Sequence, residues 1–142
     1  MRFLVDTNVL IDLFINRETT DESREFLKFA RLYKNELYVT SMSIRDLGYA
    51  VKRATHSKER EQQAQIKTYG IMSKIVSIDA DDVINSLFGN MKDFEDSLIS
   101  ESAERNFCDL IITNNVSDFK NSRVPACTPS EIMRVYQYKV IE

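Results

Sequence analysis

The chain has 142 residues, of which 43% are apolar and 29% charged, and its formal net charge is -3. This composition excludes a disordered chain and favours one domain over residues 1–142 with a core of its own. Its apolar runs are short and broken by charge, which excludes a signal peptide and a membrane span, so we expect a cytoplasmic protein. Two cysteines and one histidine are too few for a disulfide framework or a recognisable zinc site.

Short apolar runs alternate along the chain with stretches of helical periodicity. The runs that predict strands are residues 2–5, 37–40, 75–78, 110–112 and 124–127. The periodic stretches predict up to seven helices. The first three cover residues 9–14, from 21 to about 35, and from 41 or 43 through 51. The fourth ends at about residue 73, and the last three run from 79 to about 88, from 93 to about 107, and from 129 onward. The polar segment 56–65 either joins two helices or continues one. Strands that alternate with helices predict an α/β fold in three layers, α/β/α, with a parallel sheet of about five strands.

Acidic and amide side chains follow the strands of this predicted sheet. Asp6 ends the first strand, Asn115 follows the fourth, and Asp46 and Asp96 fall in the first turns of helices. Ligands of parallel sheets collect beyond the carboxyl ends of the strands. We therefore expect these four side chains to converge at one edge of the sheet.

Converging carboxylates repel one another, so a cluster of them is stable only when some protonate or a cation neutralises them. Oxygen ligands without histidine or cysteine favour Mg²⁺ or Mn²⁺ over zinc. Such an ion leaves room for a phosphate oxygen and a water, which is the chemistry of phosphodiester hydrolysis. The charge distribution fits this reading: residues 79–104 carry eight acidic side chains against Lys92, while residues 45–74 carry seven basic and three acidic ones. Solvated helix faces explain most charge runs of this kind, but an acidic pole beside a basic flank also suits a metal site that acts on a polyanion.

Several segments resemble the PIN-domain ribonucleases, and the match runs over nearly the whole chain. They are FLVDTNVLID at 3–12, YVTSMSIRDL at 38–47, DFED at 93–96, IITNNVSDF at 111–119 and VPACTPSEIM at 124–133. The resemblance implies a PIN-like fold and an endoribonuclease that depends on Mg²⁺ or Mn²⁺. It also implies the toxin of a Vap-type bacterial toxin–antitoxin pair, often a homodimer inhibited by a cognate antitoxin.

The resemblance also assigns roles to individual residues. Asp6 is similar to the family's first metal ligand, and Asp96 to the acid that shares the metal. Asp46 stands where the family usually has glutamate, and Asn115 where many members have aspartate; both are expected to be catalytic, although each departs from the pattern. The residues expected to orient or supplement the site are Thr7, Asn8, Asp93, Thr113 and Asp118. Of these, Asp93 is expected to cap its helix, and Asp118 either compensates for Asn115 or caps the turn before Phe119.

Basic and aromatic side chains are weaker candidates for RNA contacts. The basic candidates are Arg45, Lys52, Arg53, Lys120 and Arg123, each of which is also explained as a soluble surface residue. Tyr33, Tyr38 and Tyr49 could stack on bases, but packing in the core is the stronger expectation.

Three alternatives compete with the nuclease. A phosphate-accepting receiver domain needs paired acids after its first strand and a lysine at a strand end, neither of which is present. An acyl-phosphate phosphatase needs a second aspartate two residues after Asp6, where Asn8 stands. A non-catalytic PIN-like module that binds RNA or protein is the strongest rival, because Asp46 and Asn115 depart from the family pattern.

Overall fold

The computed structural model of the protein describes residues 1–141 and contains five strands, seven α-helices and one 3-10 helix. The strands are β1 (Arg2–Val5), β2 (Glu36–Thr40), β3 (Lys74–Val76), β4 (Leu110–Ile112) and β5 (Ala126–Cys127). The α-helices are α1 (Thr7–Ile11), α2 (Thr20–Leu32), α3 (Ser41–Thr55), α4 (Lys58–Ile71), α5 (Ala80–Leu87), α6 (Phe94–Arg105) and α7 (Pro129–Ile141), and the 3-10 helix is Val116–Phe119.

The five strands form one parallel sheet in the order β3-β2-β1-β4-β5. This confirms the predicted parallel sheet of about five strands. From β1 the chain builds outward through β2 and β3 on one side, and through β4 and β5 on the other. The strand order therefore reverses between β1 and β4, which is the place where open α/β sheets bind ligands.

Alternate residues of β1 enter two separate cores, one on each face of the sheet. Phe3 and Val5 pack with Phe26, Leu47 and other residues of the first face, while Leu4 packs on the opposite face. Successive side chains of a strand point to opposite faces, so an uninterrupted apolar strand requires a layer of helices on each side. Helices α2, α3 and α7 contribute to the first core, and α6 contributes Ile99 and Ala103 to the second. The predicted three-layer arrangement is confirmed.

Several helix boundaries differ from the expectation by a few residues, and two of them have a clear local cause. α1 begins at Thr7 rather than Val9, because Asp6 itself is the N-cap and accepts a hydrogen bond from the Thr7 amide. α3 ends at Thr55, because the next residue, His56, has a φ of 55° in the left-handed region, which stops the helix. Only His56 and Ser57 separate α3 from α4, and residues 58–65 of the polar segment form the first turns of α4, so the segment divides two helices rather than continuing one.

Two further properties of the chain bear on its chemistry. Cys108 and Cys127 are free thiols, and burial raises the pKa of each to about 11, so both are poor nucleophiles and poor metal ligands. None of the helices in residues 1–141 combines the length and apolar character needed to span a bilayer.

Candidate active site

Asp6 lies at the reversal of strand order and is held in one orientation. Its backbone amide continues the sheet by donating to the Ile112 carbonyl oxygen at 2.9 Å. One carboxylate oxygen accepts from the Thr7 amide at 2.8 Å, and the other accepts from the Thr113 hydroxyl at 2.7 Å. The side chain is 5% exposed. Residues that follow two neighbouring strands thus fix both oxygens of a buried carboxylate, which prepares it as a ligand.

Asp96 lies in the first turn of α6, and Asp93 is the N-cap of that helix. The Asp93 carboxylate accepts a hydrogen bond from the Asp96 backbone amide at 3.0 Å. This confirms the capping role that the sequence predicted for Asp93, and it sets the start of the helix so that the Asp96 side chain faces the carboxyl edge of the sheet.

Asp6, Asp46 and Asp96 all line one cavity of about 380 Å³ at that edge. Residues 90 positions apart in the sequence therefore meet at one place, as the strand-end argument predicts. The other walls include Met42, Tyr49 and Ile99. A concave site with an apolar wall and several convergent carboxylates is the usual form of a binding or catalytic pocket.

Two carboxylates of this cavity, Asp6 and Asp96, resist ionisation. Burial raises the pKa of Asp6; hydrogen bonds from Thr113 and Thr7 oppose that effect, and the charges of Asp118 and Asp93 add to it. Burial, followed by the negative charges of Asp6, Asp93 and Asp118, raises the pKa of Asp96 to about 7. A carboxyl group that releases its proton only near neutral pH marks a place where negative charge is crowded and where a cation would be stabilised.

Asp46 faces the same cavity but already has a cationic partner. Arg45, the preceding residue of α3, donates to its carboxylate from two guanidinium nitrogens at 3.3 and 3.2 Å. In the part of the chain that the structure describes, no three His, Cys, Asp or Glu side chains are arranged to hold a metal ion together. Asp46 therefore does not complete a three-carboxylate ligand set with Asp6 and Asp96.

The polar residues expected to orient the site form a connected network behind Asp6. Thr113, the centre of this network, is buried; its hydroxyl oxygen accepts from the Asn8 side chain at 3.4 Å and from the Asn115 backbone amide at 3.1 Å. The Thr7 hydroxyl donates to Ser43 at 2.7 Å, which ties the start of α1 to the start of α3. Thr7 and Asn8 also line the cavity themselves.

Asn115 and Asp118 lie at the margin of the site. Asn115 is exposed and is not among the residues that line the cavity. Asp118 lines a smaller neighbouring cavity together with Asp93 and Lys120, and its charge raises the pKa of both Asp6 and Asp96. The acid in this loop that acts electrostatically on the site is therefore Asp118.

A buried carboxylate beside the site, Asp12, was not predicted from the sequence. Burial alone would raise the pKa of Asp12, but hydrogen bonds from its four side-chain partners lower it overall. These partners are Ser23 at 2.6 Å, Thr19 at 2.7 Å, Asn114 at 2.9 Å and Arg17 at 2.8 Å. The backbone amide of Asn114 also donates to the side-chain oxygen of Asn8 at 3.2 Å, so this network fixes the loop after β4 against α1. The clustering of Thr19, Thr20 and Ser23 shortly after Asp12 is the sequence signal that could have indicated it.

The basic and aromatic candidates occupy different places. Lys52 and Arg53 are exposed in the last turn of α3, Lys120 lines the smaller cavity, and Arg123 pairs with Glu104 at 3.3 Å. Tyr38 is buried as expected, but the core assignment of Tyr49 is wrong, because this side chain is 64% exposed at the cavity wall. α3 turns Leu47 and Val51 into the core, which leaves position 49 on the solvent side of the helix.

A hard divalent cation fits the carboxylates that are present. Mg²⁺ is usually bound by one or two protein carboxylates and keeps several waters, so Asp6 and Asp96 are sufficient protein ligands. The raised pKa values of both groups indicate crowded negative charge that such an ion would neutralise. The carboxylates that line this cavity offer oxygen atoms, which Mg²⁺ and Mn²⁺ prefer as ligands.

The similarity of the chain to known proteins agrees with this geometry. Its sequence matches the PIN domain family over residues 2–117, while no curated protein matches it. Among solved structures it is similar to VapBC2 from Rickettsia felis bound to a DNA fragment from their promoter, with a TM-score of 0.69 and 18% identity over 90% of this chain and 98% of that one. It is also similar to a toxin–antitoxin complex from Klebsiella pneumoniae, with a TM-score of 0.64 and 23% identity over 89% of this chain and 96% of that one.

A third similar structure is VapC20 from Mycobacterium tuberculosis, a toxin that cleaves the sarcin–ricin loop. It has a TM-score of 0.61 and 9% identity over 77% of this chain and 86% of that one. At these identities the solved structures show a shared fold, and the match of the family itself covers most of the sequence. The chain therefore belongs to the PIN domain family.

Proposed function

We propose that this chain is a cytoplasmic endoribonuclease that depends on Mg²⁺ or Mn²⁺ and acts as the toxin of a toxin–antitoxin pair. The observation that carries the proposal is the meeting of Asp6 and Asp96 in one cavity, with burial and neighbouring charges raising the pKa of both. Membership of the PIN domain family and the fold shared with the toxin VapC20 support the choice of RNA as substrate.

Asp6 and Asp96 would hold the metal, and the bound ion would supply positive charge for the scissile phosphate and activation of a water molecule. The chain's own residues prepare that arrangement. Thr7 and Thr113 keep the Asp6 carboxylate in place, and Asp93 fixes the turn that carries Asp96. Asp46 reaches the same cavity and is placed to accept a proton from a water molecule there once its pairing with Arg45 opens.

Hydrolysis by water forms a new bond from the water oxygen to phosphorus and breaks the bond from phosphorus to the 3′ oxygen. The leaving 3′ oxygen takes up a proton, so one product ends in a 3′-hydroxyl and the other begins with a 5′-phosphate. A nuclease that uses the RNA's own 2′-hydroxyl would instead leave a cyclic phosphate. The chemistry of the ends therefore tests the identity of the nucleophile.

The central experiment compares RNA cleavage by the wild type and by Asp96→Asn in Mg²⁺ or Mn²⁺. The variant keeps the size of the side chain and loses the charge, so we expect the cleavage rate to fall by at least about 100-fold, of the order found when transition-state charge loses its stabilisation. Asp81→Asn, the same substitution at an exposed position of α5, is the control and should cleave like the wild type. Equal metal-dependent cleavage by Asp96→Asn would remove this residue from the mechanism.

The toxin role adds a biological prediction to the same pair of variants. Expression of the wild type should arrest bacterial growth, whereas Asp96→Asn should not, and a small antitoxin encoded beside the gene should relieve the arrest. Several similar structures are toxin–antitoxin complexes, which supports a partner of this kind. We also propose a homodimer, which light scattering of the purified protein would test.

The second candidate is a non-catalytic PIN-like module that binds RNA or protein. Two observations favour it: Arg45 already neutralises Asp46, and Asn115 does not line the cavity. Under this alternative the protein would bind RNA with equal affinity in the wild type and in Asp96→Asn, and neither would cleave it.

A further inference from the structure

A second cavity of about 430 Å³ lies between α5, α6 and the loop after the 3-10 helix, and we call it the α5–α6 cavity. Its polar walls and rim are formed by Asn85, Asn121, Ser100, Glu101 and Arg123, and the ring of Phe88 stands at its edge. Phe88 is 86% exposed. Phe88 lines this cavity with an exposed ring face beside hydrogen-bonding side chains, whereas the other strongly exposed phenylalanine, Phe107, is not among the residues that line it, so Phe88 is the ring available to a ligand there.

The α5–α6 cavity continues from the acidic site. On α6, Asp96 lines the acidic cavity, whereas Ser97 and Ser100, within the next helical turn, line the α5–α6 cavity. A small intervening cavity of about 160 Å³ contains Asp93 and Asp118 and shares Met91 and Asn121 with the α5–α6 cavity. A flexible strand that leaves the acidic site around the start of α6 would therefore reach the α5–α6 cavity directly.

The cations along this route are placed for a phosphate backbone. Lys92 and Lys120 line the intervening cavity together with Asp93 and Asp118, and Arg123, which pairs with Glu104, reaches the rim of the next one. Lysine and arginine contacts to phosphates position a nucleic acid without reading its sequence. An RNA strand that leaves the acidic site would pass the two lysines of the intervening cavity. It would then reach the α5–α6 cavity, which contains the aromatic ring and the amide and hydroxyl groups.

The α5–α6 cavity has the chemistry needed to hold one unpaired base. Aromatic rings stack on bases of single strands, and amide side chains pair with base edges. Asn85 donates one N–H to Glu101 at 3.4 Å and Asn121 donates one to the Asn90 carbonyl oxygen at 3.3 Å. Each of these two side chains keeps a second N–H and its carbonyl oxygen for a base edge, and the volume lies within the range of small-molecule sites. Ile84 and Met91 also line the cavity, but its several amide, hydroxyl and carboxylate groups favour a base over a protein partner, which usually covers a less polar interface core.

We propose that the α5–α6 cavity binds one unpaired nucleotide of the RNA, adjacent to the phosphodiester that is cut, with its base stacked on Phe88. The inference rests on the proposed function and adds a substrate subsite to it. It places part of the RNA selectivity in α5 and in the loop that follows it, outside the carboxylate cluster.

The test measures binding of a short labelled single-stranded RNA by fluorescence anisotropy, with every variant made in the Asp96→Asn background so that the RNA stays intact. Phe88→Ala should weaken binding by roughly 5- to 100-fold, the range expected for the loss of one stacked base. Phe107→Ala is the matched control, because Phe107 is a second phenylalanine, 82% exposed, at the far end of α6. It should bind like its parent.

Two further substitutions separate stacking from general apolar contact. Phe88→Trp should keep the affinity and Phe88→Leu should lose it, since leucine is apolar but has no ring face. Equal binding by Phe88→Ala and Phe107→Ala, or full affinity in Phe88→Leu, would overturn the inference. So would a result in which Phe88→Ala leaves RNA binding intact and weakens only self-association, seen by light scattering. The inference can thus fail while the Asp96→Asn cleavage test succeeds, so the two failures are distinct.

Discussion

Burial and neighbouring carboxylates both favour the protonated form of the Asp96 side chain. They raise the pKa of this side chain to about 7, well above the ordinary range of an aspartate. The folded protein therefore binds this proton more tightly than the unfolded chain, and stability contributed by the group falls as the pH rises through that interval. Above about pH 7 the loss is complete, because the group is then ionised in both states. Metal-free protein thus carries its largest electrostatic strain at the pH where the carboxylate is ready to bind a cation.

Removing this charge should stabilise the metal-free protein. We expect Asp96→Asn to have a higher free energy of unfolding than the wild type at pH 8, by about 1–2 kcal/mol after allowance for solvent screening, and a nearly equal one at pH 4. Urea denaturation in EDTA at the two pH values measures the difference. Asp81→Asn, at an exposed acid outside the cavity, should show no such gain, and a gain at Asp96 that is the same at both pH values would refute the electrostatic cause.

Individual site residues were predictable from the sequence where the backbone decides their position. Asp6 follows the first strand, and Asp96 lies in the first turn of a helix. The hydrophobic pattern of the sequence predicts both elements and therefore places both residues at the carboxyl edge of the sheet. Arg45 and Tyr49 were not predictable in the same way, because the orientation of α3 about its own axis decides whether they reach the cavity. Asp12 was missed for a related reason: only the folded loop brings its four donors together.

At the scale of elements, α3 and α4 show how a helix pair fixes the position of Asp46. They pack closely at Gly48, where an added Cβ would collide with the end of the Gln65 side chain. Gln65 donates to the Ile44 carbonyl oxygen at 3.2 Å, in the turn of α3 that precedes Asp46. The sequence indicated both helices but left the break between them open, because the left-handed conformation of His56 is rare for a residue with a side chain.

The two helical glycines give a matched test of this contact. Gly70 lies in α4 with open space around its Cα, so Gly70→Ala should stabilise the fold by about 0.4–1 kcal/mol through the unfolded chain. Gly48→Ala gains the same helix propensity but displaces Gln65 from its hydrogen bond, so its free energy of unfolding should lie about 1 kcal/mol below that of Gly70→Ala. Urea denaturation of both variants measures this, and equal stabilisation would mean that the Gln65 contact contributes nothing.

At the scale of the whole molecule, alternation of strands and helices predicted the parallel sheet, its two covered faces and the strand-end convergence. It did not give the strand order, because local periodicity carries no information on which strands pair. β1 lies at the centre of the sheet, and its residues 3–5 are buried. That burial depends on the helices packed on both faces, so it could not be used to place β1 before the fold was known. The assignment of residues 1–142 to one domain stays a prediction.

That topology makes a bound ion a link between distant parts of the chain. Asp6 belongs to the connection from β1 to α1 and Asp96 to α6 on the opposite face, so an ion that contacts both would be lost on unfolding. A ligand at 100 times its dissociation constant stabilises the folded state by about 2.7 kcal/mol. For a chain of this size that corresponds to a rise in Tm of roughly 5–10 °C.

We therefore expect Mn²⁺ to raise the Tm of the wild type at pH 8 by this amount and to raise it less at pH 6, where protons compete for Asp96. Asp6→Asn and Asp96→Asn should each lose the Mn²⁺-dependent rise, while Asp21→Asn, at an exposed acid of α2, should keep it. Differential scanning calorimetry with and without Mn²⁺ separates these outcomes. A rise that survives in Asp6→Asn would show that the ion does not need this carboxylate and binds elsewhere on the molecule.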